Sequence, residues 1–218
     1  MNFNFELVRD WMPYFLSGMM WTIVMTVGGI LIGMVLGLFI GLGKLLENIF
    51  LRLPFIWYIN LFRGTPFLVQ IFILHFGVMP IVMNSPNVIV TGIVALSLNS
   101  AAYIAEIFRA GIQSIDKGQM EAARSLGMTH WQAMKEIILP QAYKRMIPPL
   151  GNEFIVLLKE SSLLAIIAAP ELMYWGRAMQ GATYRVWEPY LTVALVYLVL
   201  TLSLTYFVDY LERRYKTE

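Results

Sequence analysis

The sequence predicts an all-α membrane protein with five transmembrane helices, and three observations carry that prediction. Of 218 residues, 58% are hydrophobic and 14% charged, with a mean hydropathy of +0.65; a soluble domain could not hide so much apolar surface. The charged residues gather between long uncharged runs, each of a length that suits about 30 Å of hydrocarbon. The lysines and arginines also fall unevenly on the two sides those runs define.

Residues 1–218 read as a single membrane domain without a repeat or a separate soluble part. Glu6, Arg9 and Asp10 precede the first apolar run, which is not the basic start of a cleaved signal peptide. The first span is expected at about 16–43. Its Gly29, Gly33, Gly37 and Gly41 recur at four-residue steps, a small-residue stripe suited to close helix contact. After a short charged loop with Lys44, Glu47 and Arg52, a second span is expected at 53–76. The uncharged, proline-bearing segment Met79 to Asn87 reads as a tight far-side connection. A third span follows at 88–108, then a charged loop at 109–145, a fourth span at 146–169, an outer loop with possible short helices from Pro170 to Glu188, and a fifth span at 190–208.

Of the sixteen lysines and arginines, Arg9, Arg177 and Arg185 fall on one side and Arg63 and Lys159 within spans. All the others, from Lys44 to Lys216, fall on the side of the 109–145 loop. The positive-inside rule therefore predicts that this loop and the C-terminus are cytoplasmic and the N-terminus outside. The net charge of +2 gives no sign of nucleic-acid binding, and the lack of cysteine excludes disulfides and a thiol nucleophile.

Within the loop, Asp116 can cap a helix beginning at Lys117, and Gly127 suits the left-handed position that ends it. Thr129 with Gln132 reads as a capping box opening a second short helix. Met120, Ala123 and Leu126 share one stripe and Trp131, Met134 and Ile138 another, and one stripe can pack on the membrane helices. Small Ala122, Ala123 and Gly127 leave room for a partner's groove.

Polar groups inside spans are costly and usually functional. On the second span, Arg63-Gly64-Thr65-Pro66 with Gln70 reads as a break, Thr65 capping a helix that restarts at Pro66. On the fourth, Glu153 and Glu160 lie two helical turns apart on one face, bordered by Lys159. Ser161 or Ser162 is a candidate cap for a second restart. Arg63 as a snorkelling cation and Glu153 paired with Lys159 are the structural alternatives. On the third, Asn99 has no evident partner and is expected to reach a cavity, while Glu106 and Arg109 are expected to pair within their helix.

The segment Glu121 to Pro140 carries Glu-Ala-Ala, three residues, Gly127, nine residues, Ile137, one residue and Leu139-Pro140. This spacing resembles the cytoplasmic signature loop of bacterial ATP-binding cassette importer permeases. RGTPFLVQ at 63–70, NSAAYIAEIFRAGI at 99–112 and PPLGNEFIVLLKESSLL at 148–164 further resemble the polar amino acid permeases. Glu160-Ser161 departs from that family's usual pattern, which leaves the role of Glu160 open. The resemblance implies a type I importer permease fold in the bacterial inner membrane, a second permease chain (the same or a paralogue), two ATPase subunits and an extracytoplasmic amino acid-binding protein. It implies no cofactor in this chain, with ATP and Mg on the partner ATPase, and no enzymatic activity of its own. Glu121, Ala122, Ala123 and Gly127 become the candidate ATPase-coupling residues.

Arg63, Thr65, Gln70, Asn99, Glu153, Lys159, Glu160 and Ser161 become the candidate substrate-binding residues. The helix ends near Thr65 and Ser161, with Lys159, are expected to take an amino acid's carboxylate, and Gln70 and Asn99 its ammonium. Glu153 points to a basic substrate: arginine, lysine or histidine. Glutamine or glutamate import is the alternative, and a secondary transporter a further one, although such a protein has no use for a docking loop. His75 and His130 lie in different segments, and neither a catalytic motif nor a Walker A sequence is present.

Overall fold

The computed structural model describes residues 3–215, so Lys216 lies outside the described residues. Three of the long or broken segments start at an asparagine cap. Asn4 Oδ1 accepts from the Glu6 and Leu7 amides at the head of α1 (Phe5–Lys44), Asn48 from Phe50 at α2 (Ile49–Gly64), and Asn87 from Ile89 and Val90 at α5 (Val88–Gln113). Between α2 and α5 lie α3 (Phe67–Phe72), a π-helical stretch Ile73–Val78 and α4 (Met79–Val82), which together form one arm. Asp116 caps α6 (Lys117–Ser125), and Thr129 with Gln132 forms the capping box of α7 (His130–Ala133). A π-helical stretch Met134–Ile138, α8 (Leu139–Glu160) and a 3-10 stretch Ser161–Ile167 continue α7 without interruption. Finally come α9 (Leu172–Thr183) and α10 (Trp187–Tyr215).

Three helices, α1, α5 and α10, are long and apolar enough to cross a membrane by themselves. The segment expected as a second span is instead two arms, Ile49–Gly64 and Phe67–Val82, that bend by 109° across Gly64 to Pro66. The run containing α8 is too polar to stand out by hydropathy, because it carries Lys144, Arg145, Glu153, Lys159 and Glu160; packing against α5 and α10 places it in the bundle.

The α1–α5 pair is the spine. Gly29, Gly33 and Gly37 face Leu96, Ser100 and Ile104 so closely that a methyl group has no room. A Cβ on Gly29 would lie 2.6 Å from Leu96 Cβ, and one on Gly37 2.7 Å from Ile104 Cγ2 and 2.9 Å from the Ala101 carbonyl. Around this contact Met25, Ile30, Phe67, Ile71, Leu157 and Leu164 make one buried cluster joining α1, α3, α5, α8 and the 3-10 stretch. Without a hydrophobic driving force between helices in lipid, such close packing is what holds them together. Gly37→Val should therefore lower the thermal midpoint of the purified protein, with overpacking of about 1–3 kcal/mol. An unchanged midpoint would contradict the close α1–α5 contact.

Candidate functional site

The break at Gly64 to Pro66 is built differently from the sequence reading. Thr65 does not cap α3. Its backbone is extended, and its Oγ1 donates back to the Leu61 carbonyl at 2.8 Å, so Pro66 occupies the cap position and contributes no side-chain bond. Gln70 closes the break instead. Its amide nitrogen lies 2.8 Å from the Phe62 carbonyl and 3.0 Å from Thr65 Oγ1, while its oxygen accepts from Asn99 Nδ2 at 3.0 Å. Carbonyls released by the end of α2 are thus satisfied by a side chain, as irregular backbone at membrane depth requires. Both ends of the Gln70 amide are thus engaged within the fold. Asn99, only 3% exposed, has the partner that the sequence did not reveal, although its Oδ1 finds none among the described residues.

A second correction concerns Ser161. The helix does not restart there: Ser161 is buried, continues α8 into the 3-10 stretch, and donates to the Leu158 carbonyl at 2.7 Å, while Ser162 donates to Lys159. The true restart comes at Ala168, with a positive φ of 58°, after which the fully buried Glu171 caps α9 by accepting from Met173 and Tyr174 at 2.8 and 2.6 Å. Tyr197 donates to the same carboxylate at 3.0 Å. Glu171 was missed because it follows Pro170 in what reads as a loop; a carboxylate just ahead of an apolar helical run was the available signal.

Arg63, Tyr103, Glu106, Arg145, Asn152 and Glu153 line a cavity of about 520 Å³ between α2, α5 and α8, within the range of small-molecule sites. On one side the Arg63 guanidinium lies 5.3 Å over the Tyr103 ring and 3.9 Å from Glu106. Glu106 is the hub of a charge cluster, paired with Lys44 of α1 and held by Arg109 at 2.8 and 3.0 Å. The intrahelical Glu106–Arg109 pair is thus present but shared. On the other side Glu153 is 8% exposed and has neither a hydrogen bond nor an ion pair among the described residues; Glu160 repels it and Arg63 attracts it. Pairing of Glu153 with Lys159 does not occur, because Lys159 is exposed on another face of α8. The cavity therefore brings together Arg63 and Glu153, while Thr65, Gln70 and Asn99 form the stitched break and Lys159, Glu160 and Ser161 line neither.

Beyond Ser114 and Arg145 of the same cavity, α6 and α7 are joined through Gly127. Gly127 adopts φ +86°, and its amide bonds the Arg124 carbonyl while that of Met128 bonds Ala123. Met120, Met134 and Ile138 pack with Ile115, Ala142 and Met146. Ala123 is buried within the single chain, whereas Glu121 and Ala122 are exposed. Each of the two stripes has one member outside this packing: Leu126 is 85% and Trp131 69% exposed. Among the described residues no group of three or more metal-ligating side chains occurs.

The family model described as binding-protein-dependent transport system inner membrane component matches residues 29–217. The chain belongs to this family. Relatives include the arginine transport system permease protein ArtQ of Bacillus subtilis, 39% identical over 100% of this chain and 99% of that one. The glutamine transport system permease protein GlnP of Escherichia coli is 34% identical over 99% of each. A crystal structure of an amino acid ABC transporter with histidines superposes with a TM-score of 0.93 at 44% identity, covering 98% of this chain and 100% of that one. The inward-facing MetNI methionine transporter, 22% identical with a TM-score of 0.81, shares the fold, covering 94% of this chain and 98% of its own. This permease is thus an amino acid ABC importer subunit of the polar amino acid group, with the type I importer fold, in the inner membrane.

Replacing Gln70 by Leu should leave the Phe62 carbonyl and Asn99 unpaired, lowering stability by about 1–3 kcal/mol per stranded group. Melting of the purified permease would register this, and a Gln70→Leu protein as stable as the parent would contradict the stitched break.

Proposed function

We propose that this permease imports basic amino acids, with the substrate held between Arg63 and Glu153. The observation that carries the reading is the unpaired carboxylate of Glu153 on the cavity wall. A buried charge without a partner is expensive unless it meets a cation. A guanidinium or ammonium supplies one, and the substrate's own carboxylate then falls to Arg63 rather than to a helix end. Relatives do not choose the substrate, since those named for arginine and for glutamine are similarly identical to this chain. Glu153→Gln should reduce arginine uptake roughly ten- to a hundredfold and change glutamine uptake little. Competition against labelled arginine checks this, and glutamate as the best competitor would overturn it.

The same reading places five crossings in the membrane, the second of them broken, with the N-terminus outside and the α6–α7 segment in the cytoplasm. Two permease chains pair, two ATPase subunits hydrolyse ATP with Mg, and an extracytoplasmic binding protein delivers the amino acid. Glu121, Ala122, Leu126 and Trp131 are the exposed groups available to an ATPase groove. A side chain on Gly127 meets no neighbour within 4 Å, so its effect is backbone strain alone, about 1–2 kcal/mol. Gly127→Val should insert normally yet lose ATP-driven uptake in vesicles. Uptake at the parent rate would contradict docking through this turn.

A further inference from the structure

A second cavity, of about 420 Å³, lies at the charged end of the bundle and is lined by Lys44, Leu45, Arg52, Ile56, Arg109 and Gln113. Its three cations come from three helices: the last residue of α1, the first turn of α2 and the last turns of α5. No carboxylate lines it. Glu106 alone compensates Lys44, Arg63 and Arg109 from beneath, so positive charge is in surplus. The neighbouring Glu47 is exposed and paired with none of them.

Arg52 is the informative member. Its guanidinium has no hydrogen bond or ion pair among the described residues, and its Nε is buried without an acceptor. Such a donor costs free energy until an acceptor arrives. Lys44 and Arg109 also keep N–H groups beyond those committed to Glu106 and Gln113. The apolar Leu45 and Ile56 line the cavity with the cations, and Leu45 and Leu46 are exposed on the loop that joins α1 to α2. A ligand with an anionic head and apolar tails matches both surfaces at once.

We infer that Lys44, Arg52 and Arg109 hold the phosphate of an anionic phospholipid headgroup from the leaflet at this end of the bundle, with its chains leaving past Leu45 and Ile56. The planar fork of Arg52 suits two phosphate oxygens, and the other two cations add charge. Lys44 and Arg109 also hold Glu106 of the Arg63–Glu153 cavity, whereas Arg52 lines only this second cavity and is the residue whose change separates the two sites.

Native mass spectrometry of the intact purified transporter, titrated in micelles with phosphatidylglycerol or phosphatidylcholine, tests this. The parent should retain phosphatidylglycerol at about tenfold lower concentration than phosphatidylcholine. Arg52→Gln should erase that preference, and Arg52→Lys should keep part of it. Millimolar inorganic phosphate should leave the lipid bound. Equal retention of the two lipids by the parent, an undiminished preference in Arg52→Gln, or displacement of lipid by inorganic phosphate overturns the inference. Should Arg52→Gln fail to assemble, the parent's two-lipid comparison and Arg52→Lys decide it.

Discussion

The interruption of the backbone at Gly64 to Pro66 is the constraint on which the rest of the site depends. In hydrocarbon an unsatisfied carbonyl costs several kcal/mol, so a helix is broken only where something replaces its lost bonds. Gln70 does this from the next turn, and Asn99 of α5 steadies Gln70. The consequence is geometric: the two arms diverge by 109°, and Arg63 is left at the end of α2 with its guanidinium over Tyr103 and beside Glu106. Only then is there a cavity for Glu153 to line.

The run from His130 to Ile167 joins two parts of the molecule that do different things. One end packs against α6 through Ile138 and Met134, where the exposed Leu126 and Trp131 stand; the middle carries Glu153 into the cavity; the far end buries Leu164 in the main core. A continuous element with one end in the segment proposed for docking and its middle in a cavity wall is the physical kind of structure that can couple distant sites. The charge cluster on Glu106 ties α1 to α5 and reaches Arg63 of α2, so it fixes the cavity's other wall.

Much of this was legible in the chain because it rests on local rules. The caps at Asp116 and Thr129, the left-handed Gly127 and the glycine stripe of α1 follow from side-chain chemistry at fixed spacing, and the structure has each of them. What sequence spacing could not supply was the competition among polar groups for one another. Thr65 and Ser161 both look like caps, yet each donates back to a carbonyl of its own preceding turn. Gln70 and Asn99 look free until a fold brings them within 3.0 Å. Leu126 and Trp131 fall on apolar stripes by period, yet both are exposed on either side of the left-handed Gly127.

The central claim is that the substrate lies between Arg63 and Glu153, and the most direct test is a structure of the assembled transporter with arginine bound in the membrane. The account predicts density in the cavity between α2, α5 and α8, the α-carboxylate against the Arg63 guanidinium and the side-chain guanidinium against Glu153. Arginine bound beside Lys159 and Ser161, with Glu153 unoccupied, would contradict it.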